Sequence, residues 1–341
     1  MPEVCGVGRL RPRATLFPYP AAQEALAFDE ESSPWVRFLS DRPGGRTESA
    51  DPGSWSFRLV NGPDEGAGFE DPAFDDAAWN SIPVPSNWTL EGTGDWPIYT
   101  NIRMPFDDDP PAVPSDNPTG LYRRRFHLDA AWAARRTVIH FGGVESAFYV
   151  WCNGREIGFS KGSRTPVEFD LTGAVQEGDN LLAVMVCRWS DGSFLEDQDH
   201  WWMAGIYREV FLRSTAEVYI ADVFARPVLD EDCRDGALSV DVRVESNDPV
   251  AADHEVALRV LDPSGREVSL EDGVRRVRPH AVRRTPDGDA AVDSVARFRS
   301  TIKAPAPWSA ERPNLYRMAV ELKDGTGRGV EATSTRIGLR R

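Results

Sequence analysis

The sequence has 341 residues, of which 41% are hydrophobic and 27% are charged, and its net charge is -15. This composition is typical of a folded globular protein with room for two domains, and it excludes a disordered chain. The negative charge argues against a nucleic-acid partner, because a phosphate backbone requires a basic surface, and it suits a neutral partner better.

The amino-terminal region gives no sign of export or membrane insertion. No apolar run approaches the roughly 18 residues that span a bilayer. The segment "MPEVCGVGRLRPRATLFPYP" also lacks the continuous apolar core of a secretory signal. We therefore expect a cytoplasmic protein with no membrane partner, and we expect residues 1–27 to form an extended arm.

The rest of the chain predicts an all-β protein. Helical periodicity is nearly absent, and short strand-like runs broken by Gly, Pro, Asn and Asp recur throughout. The clearest hairpin is "AFYVWCNGREIGF", in which Asn153 and Gly154 supply the two positive-φ positions of a type I′ turn. The run from Leu181 to Cys187 is apolar at every position, which predicts a strand covered on both faces.

Four cysteines are spread along the sequence without a C-x-x-C pair or matching histidines. This spacing favours neither a zinc site nor a disulfide framework. Free thiols that behave as small hydrophobic side chains are instead expected to be buried at Cys5, Cys152, Cys187 and Cys233.

One long stretch resists regular structure. The segment "MPFDDDPPAVPSDNPTG", residues 104–120, contains five prolines and is therefore not a central strand. Loops of this length are either functional or solvated surface segments, and the sequence favours neither. Asn117 stands just before the strand "LYRRRF", where spacing alone predicts a turn-forming residue.

The most unusual stretch is "GSFLEDQDHWWMAGIYREV", which gathers three carboxylates into four positions just before two tryptophans. Acids this close are either solvated or paired, with Arg188 and Arg208 or with a hard cation. In an extended chain Asp197 and Asp199 would share one face. Aromatic faces beside carboxylates suit a sugar, although spacing alone favours core tryptophans and a surface turn. No second histidine is spaced to make His200 a metal ligand.

The second half of the sequence predicts a smaller sandwich. "GALSVDVRVES" alternates apolar and polar residues, and "HEVALRVLDPSGREVSL" repeats that alternation around a Pro-Ser-Gly turn. Such alternation is typical of half-buried strands in a two-sheet sandwich. We place the domain boundary near 214–218, which gives a first domain at 28–215 and a second at 216–341.

Several motifs together resemble a known family. "VPSNWTLEG", "PIYTNI", "DNPTGLYRRRF", "AFYVWCNGREIGFSKGSRTPVEFDLT", "NLLAVMVCRWSDGSFLEDQDHWWMAGIYREVFL" and "WSAERPNLYRMAVEL" occur in the order found in the large bacterial β-galactosidases of glycoside hydrolase family 2. The resemblance implies that 28–215 is a jelly-roll, sugar-binding domain. It also implies that 216–341 is an immunoglobulin-like β-sandwich.

The resemblance further implies two site residues. The Asn of the family's N-P-T-G turn matches Asn117, and the second Asp of its E-D-Q-D run matches Asp199. By that resemblance Asn117 would contact galactose. Asp199 would accept hydrogen bonds from galactose hydroxyls and supply part of a Na⁺ site. Trp202 stands where some members carry Arg, which changes the local cation balance and removes neither contact residue.

The catalytic residues are expected elsewhere. Retaining glycosidases use two carboxylates about 5 to 5.5 Å apart. In this family both are glutamates on a (β/α)8 barrel of about 250 residues that follows the sandwich. Because the sequence stops at "STRIGLRR", we expect no catalytic residue within these 341 residues. The resemblance places the Mg²⁺ ligands in the same missing domain, and it implies a homo-oligomeric intact enzyme.

Three functions therefore stay open. The favoured one is the non-catalytic amino-terminal portion of a β-galactosidase, inactive alone. The second is a standalone, lectin-like carbohydrate-binding module, and the third is a self-sufficient glycosidase that uses Glu196 and Asp199 as its catalytic pair. We expect the chain alone to bind galactose weakly, since few polar groups would converge on the sugar. We also expect an exposed apolar patch where the barrel would pack.

Overall fold

The computed structural model describes residues 5–27, 33–41, 54–250, 252–282 and 294–341. Strands make up most of its regular structure, which confirms the all-β prediction. The described helices are α1 (Ala22–Leu26) and α2 (Ala130–Ala133), with 3₁₀ turns at Pro63–Gly66, Trp88–Leu90 and Asp191–Phe194. None of the helices in these ranges has the length and apolar character needed to cross a membrane.

The described strands range in length from two residues to twelve. In chain order they are β1 (Gly6–Val7), β2 (Val36–Phe38), β3 (Ser54–Val60), β4 (Asn80–Pro83), β5 (Ile98–Tyr99), β6 (Thr119–Leu128), β7 (Arg136–Phe141), β8 (Val144–Glu145), β9 (Ala147–Cys152), β10 (Arg155–Lys161), β11 (Val167–Asp170), β12 (Gly178–Cys187), β13 (Trp201–Trp202), β14 (Gly205–Ile206), β15 (Val210–Thr215), β16 (Val218–Leu229), β17 (Asp235–Ser246), β18 (His254–Leu261), β19 (Val274–Val277), β20 (His280–Ala281), β21 (Val295–Lys303), β22 (Tyr316–Lys323) and β23 (Gly329–Ile337).

The chain divides into two compact units, and the division differs from the expected one near the amino terminus. The first unit comprises residues 1–12 and 37–213, and the second comprises residues 13–36 and 214–341. Most of the expected arm therefore belongs to the second unit. Tyr19 exchanges two backbone hydrogen bonds of 2.8 Å with Ala332, and Leu16 lies in that unit's apolar core. Residues 28–32, where the first domain was expected to begin, lie outside the described part of the chain.

The first unit is a β-sandwich. One sheet has the strand order β1-β10-β9-β12-β6-β3-β4 and the other has the order β11-β7-β15-β2, with the ribbons β13-β5 and β14-β8 beside them. Aromatic side chains join the two sheets, because Phe148 on β9 lies 5.1 Å from Phe141 on β7 and 5.9 Å from Phe169 on β11, measured between ring centroids. Burial of these rings stabilises the sandwich.

Two strand predictions in this unit are confirmed. β9 and β10 form an antiparallel hairpin, and Asn153 and Gly154 at its turn have φ values of 52° and 78°. Every residue from Leu181 to Cys187 is buried, as expected for a strand covered on both faces.

The prediction of four buried thiols is wrong for two of them. Cys152 and Cys187 are buried in the larger sheet, whereas Cys5 and Cys233 are exposed. Cys233 lies in a turn after β16, where its N–H donates to the carbonyl of Asp230, and such turns lie at the surface. Burial raises the pKa of Cys152 to about 12 and that of Cys187 to about 11, so both thiols stay protonated at neutral pH.

The second unit is a smaller sandwich of two four-stranded sheets. β16, β17, β20 and β21 form one sheet, and β19, β18, β22 and β23 form the other. Burial alternates along β17 and β18, which confirms the predicted half-buried strands. The core contains side chains from both sheets, among them Val240, Phe298, Met318 and Val320.

Strand register decides which loops of the first unit lie together. Cys187, the last residue of β12, pairs with Thr119, the first residue of β6, and also with Ala147, the first residue of β9. Lys161, the last residue of β10, pairs with the same Ala147. The segments around 117, 145, 162–164 and 188–202 therefore emerge at one end of the larger sheet, which we call the loop end.

Candidate functional site

Asn117 joins two strand ends at the loop end. Its side chain is 6% exposed and exchanges two hydrogen bonds with the main chain of Trp189, one donated by Nδ2 and one accepted by Oδ1, both 2.9 Å. Its backbone N–H donates to the carbonyl of Asn61. An asparagine Nδ2 carries two hydrogens, so one donor is left beyond these contacts. In this structure Asn117 fixes where the segment after β12 begins.

The segment that carries the acids is not extended. Asp191–Phe194 forms a 3₁₀ turn with a capping box between Ser190 and Ser193, and strand structure returns at Trp201–Trp202. Residues 195–200 form no strand and turn or bend at 195, 196, 199 and 200, so the extended chain in which Asp197 and Asp199 would share one face is not formed. The three carboxylates consequently lie in different surroundings.

Glu196 and its neighbours are held by the turn that follows β10. The Glu196 carboxylate accepts hydrogen bonds from the backbone N–H and the hydroxyl of Ser163, at 2.6 and 2.5 Å. Lys161 pairs with Asp191 at 2.6 Å, and both side chains are largely buried. Arg164 Nη2 lies 3.1 Å from His200 Nε2. These contacts fix the segment at three points along its length.

The two arginines proposed as partners for the acids bind elsewhere. Arg188 is buried, pairs with Asp95 and donates to the carbonyl of Trp96 at 2.9 Å. The guanidinium of Arg208 lies over the ring of Tyr207, 5.6 Å from its centroid. Of the alternatives that the sequence left open, pairing with Arg188 and Arg208 is therefore not the one that the described residues form.

Asp199 is exposed and lies beside two aromatic rings. The hydroxyl of Tyr99 donates to Asp199 Oδ1 at 2.7 Å, and the Tyr99 and Trp201 rings, which pair across β5 and β13, are 5.6 Å apart. Tyr99 is 51% exposed and Trp201 is 54% exposed. The hydrogen bond to Asp199, reinforced by its charge, raises the pKa of Tyr99. We call Asp199, Tyr99 and Trp201 the Asp199 edge.

The second tryptophan of the pair is part of the core. Trp202 is 2% exposed, its indole N–H donates to the Thr100 hydroxyl at 2.8 Å, and its ring lies 5.5 Å from that of Trp189. The proline-rich loop supports the same cluster, because Phe106 contacts Trp189 and Phe194 at 5.2 and 5.4 Å. Of the two adjacent tryptophans, Trp201 is therefore exposed and Trp202 is buried in an aromatic cluster next to the Asp199 edge.

An ion pair between a buried glutamate and an exposed arginine also lies at the loop end and was not predicted. Glu145 on β8 is 5% exposed and accepts two hydrogen bonds from Arg164, at 2.9 and 3.2 Å. Burial raises the pKa of the Glu145 carboxyl, although Arg164 acts in the opposite direction. Arg164 thereby links Glu145 to His200. No local motif marks this pair, which comes together through the register of β9 and β10.

Asp199 has the donor type of a ligand for a hard cation. Carboxylate oxygens suit Na⁺-like hard cations, and one oxygen of Asp199 lies outside the Tyr99 hydrogen bond. Over the described ranges, no group of three or more His, Cys, Asp or Glu side chains is arranged to hold a metal ion. Both ring nitrogens of His200 lie near protein partners, Arg164 and the carbonyl of Trp201. Asp199 therefore fits one position of a cation site and no complete ligand set.

Sequence models of two domains of one family match most of the chain. Residues 50–216 match the model described as "Glycosyl hydrolases family 2, sugar binding domain". Residues 218–340 match the model described as "Glycosyl hydrolases family 2". The chain belongs to glycosyl hydrolase family 2. The loop end and the Asp199 edge both lie in the domain that matches the sugar-binding model.

Curated relatives of this family 2 chain carry the name β-galactosidase. The protein of Photobacterium profundum is 43% identical over 85% of this chain and 27% of the relative. The protein of Vibrio vulnificus CMCP6 is 44% identical over the same shares, and that of Priestia megaterium is 39% identical over 99% of this chain and 31% of the relative. The chain thus spans less than a third of the length of these relatives.

Solved structures of family 2 proteins share the fold. A β-glucuronidase of Bacteroides uniformis superposes with a TM-score of 0.67 at 19% identity, over 89% of this chain and 32% of that one. A family 2 member of Bacteroides cellulosilyticus superposes with a TM-score of 0.62 at 22% identity, over 84% and 35%. These matches confirm a jelly-roll sandwich followed by an immunoglobulin-like sandwich.

Proposed function

We propose that this chain is the non-catalytic, amino-terminal portion of a β-galactosidase and that its loop end forms part of the galactose site. The observation that carries the proposal is the exposed Asp199 carboxylate beside the rings of Tyr99 and Trp201. Carboxylate oxygens accept hydrogen bonds from sugar hydroxyls, and aromatic faces cover the C–H faces of a sugar ring. The β-galactosidase names of the relatives support galactose as that sugar.

Each residue has a distinct task in this proposal. Asp199 accepts hydrogen bonds from galactose hydroxyls and provides one oxygen ligand to Na⁺, which when bound supplies a positive charge next to the sugar. Asn117 holds the Trp189 main chain and uses its remaining Nδ2 hydrogen towards the sugar. The catalytic glutamates and the Mg²⁺ ligands come from the catalytic domain of the intact enzyme. We also propose that this enzyme is cytoplasmic and homo-oligomeric.

The test is to measure KM for the Asp199→Asn variant of the intact enzyme, in which this 341-residue chain is joined to the catalytic domain. Losing a hydrogen bond to a charged acceptor costs about 1.5 to 3 kcal/mol, which predicts an increase of roughly 10- to 150-fold in KM for an aryl β-galactoside. Asp197→Asn is the matched control, because Asp197 is exposed and has no hydrogen-bond partner among the described residues. Equal KM values for the two variants would refute the role of Asp199.

The alternatives make different predictions for the isolated chain. A standalone lectin-like module would bind galactose with a Kd below about 10 µM, roughly 7 kcal/mol of binding, whereas the proposed portion binds more weakly in titration calorimetry. A self-sufficient glycosidase would release product from an aryl β-galactoside. The contacts of Glu196 favour neither the acid/base task nor the nucleophile task, because Ser163 already donates hydrogen bonds to both oxygens of its carboxylate.

A further inference from the structure

The first unit has a cavity beside β4, the strand at one edge of the larger sheet. Pairing between β3 and β4 ends at Phe57 and Asn80, while β3 continues to Val60, so Arg58 and Leu59 have no partner on β4. The opening is a cavity of about 430 Å³, within the range of about 300 to 1,000 Å³ that is common for small-molecule sites. Asp199, Tyr99 and Trp201 do not line it.

We call this cavity the Trp79 groove. Two aromatic side chains form one of its walls. Phe74 and Trp79 are half-buried and meet edge to face, with ring centroids 5.6 Å apart. Trp79 also stacks on the buried Phe69 at 6.5 Å. The rings thus have fixed positions and a partly exposed apolar surface.

Polar groups form the rim of the Trp79 groove. Within the described ranges, the side chains of Arg58 and Asn80 and the indole N–H of Trp79 have no hydrogen-bond or ion-pair partner. Asp75 receives one hydrogen bond, from the N–H of Ala77 at 3.0 Å, so its second oxygen can accept another. The guanidinium and the carboxylate balance each other in charge, which favours a neutral ligand with several hydroxyl groups.

The wall is held in place by a buried arginine. Arg123 is 1% exposed, lies 5.3 Å from the centroid of the Phe74 ring and forms a 3.1 Å ion pair with Asp76. It also donates to the carbonyl of Asp71 at 3.1 Å. The loop that carries Phe74 is therefore ordered without a ligand, which lowers the entropic cost of binding.

We propose that the Trp79 groove is a second carbohydrate site that binds one neutral pyranose unit. The sugar's C–H face packs on Phe74 and Trp79, and its hydroxyls bond to Arg58, Asp75 and Asn80. The aromatic wall of Phe74 and Trp79 together with unpaired planar donors matches the chemistry of a pyranose, which presents C–H groups on its faces and hydroxyls around its rim. The inference depends on the proposed function only in the choice of a galactoside as the probe.

The experiment is a titration of the 341-residue chain with lactose, followed through the ¹H–¹⁵N signals of the tryptophan indoles. Trp79→Phe identifies the Trp79 signal and keeps an aromatic ring in place. We expect that signal to shift with saturation in the millimolar range. We also expect Asn80→Ala to weaken binding about fivefold, the scale of one lost neutral hydrogen bond, and Arg58→Ala to weaken it about tenfold or more, because the guanidinium is a charged donor. Arg9→Ala, at another exposed arginine of the same unit, is the matched control and should leave the titration unchanged.

Each remaining outcome decides the question. A Trp79 signal that does not move, or binding that survives both Arg58→Ala and Asn80→Ala, would overturn the proposal. A shift that is lost in Asp199→Asn and kept in Arg58→Ala would assign all binding to the Asp199 edge, which also overturns it. A titration unchanged by Asp199→Asn supports the groove whatever that substitution does to KM in the enzyme, so the groove and the proposed function fail separately.

Discussion

At the scale of single residues, the hydrogen bond between Tyr99 and Asp199 makes a titration prediction. Asp199→Asn replaces the hydrogen-bond acceptor of Tyr99 with a neutral one and removes its charge, the two causes that most raise the pKa of Tyr99, so the phenol should ionise closer to its ordinary value of about 10. Because the folded pKa is the higher one, the linked stabilisation is fully present below the unfolded pKa and is lost as pH rises through the folded pKa. Ultraviolet difference titration, with Tyr99→Phe to identify this phenol, measures the change.

Asp197→Asn is the control for this titration and should leave the Tyr99 pKa where it is. An unchanged pKa in Asp199→Asn would mean that the hydrogen bond does not persist in solution. The sequence predicted carboxylates beside aromatic rings, but it did not predict which of them meet. Asp199 and Tyr99 lie 100 positions apart, and their contact follows from the pairing of β5 with β13. No pattern within either segment encodes that pairing.

At the scale of elements, the three anchors of the acidic segment predict unequal effects for neighbouring acids. Glu196→Ala leaves the buried Ser163 without an acceptor for its N–H and its hydroxyl. Lost hydrogen bonds to a charged group predict a decrease of about 1.5 to 3 kcal/mol in the free energy of unfolding. Asp197→Ala, at the next residue, removes an exposed carboxylate and should change the free energy of unfolding by less than about 0.5 kcal/mol. Urea denaturation of both variants measures the difference.

If both acids prove equally dispensable, the contact between the acidic segment and the turn after β10 does not hold the loop end together. Elements with a strong local signal could be predicted from the sequence. Asn153 and Gly154 are residue types that adopt the positive φ values of a hairpin turn, and the unbroken apolar run of β12 predicts a strand buried on both faces. The acidic segment could not, because its shape depends on Ser163 and Arg164, which reach it through the register of β9 and β10. Charge and aromatic content alone therefore marked the segment as unusual without predicting its geometry.

At the scale of the whole molecule, the least expected feature is that residues 13–36 belong to the second unit. Few local signals mark this segment, since its strand-like contacts are isolated and its helix has five residues. Its membership depends on contacts with residues about 300 positions later in the sequence, such as the 2.5 Å hydrogen bond from the Ser334 hydroxyl to the Ala25 carbonyl. An amino-terminal arm was the natural expectation from sequence because such contacts leave no periodicity.

This arrangement predicts that Tyr19→Ala weakens the second unit and spares the first. Tyr19 is 3% exposed and packs in a cluster with Leu26, Ala319 and Ala332, so removing its ring should cost about 3 to 5 kcal/mol. Hydrogen exchange followed by mass spectrometry should show lost protection in β22 and β23 and unchanged protection in β12, because protection reports local stability. Gln23→Ala, on the exposed side of α1, should change neither. Lost protection in β12 instead would place residues 13–36 with the first unit, and equal loss in both would mean that the two units unfold as one.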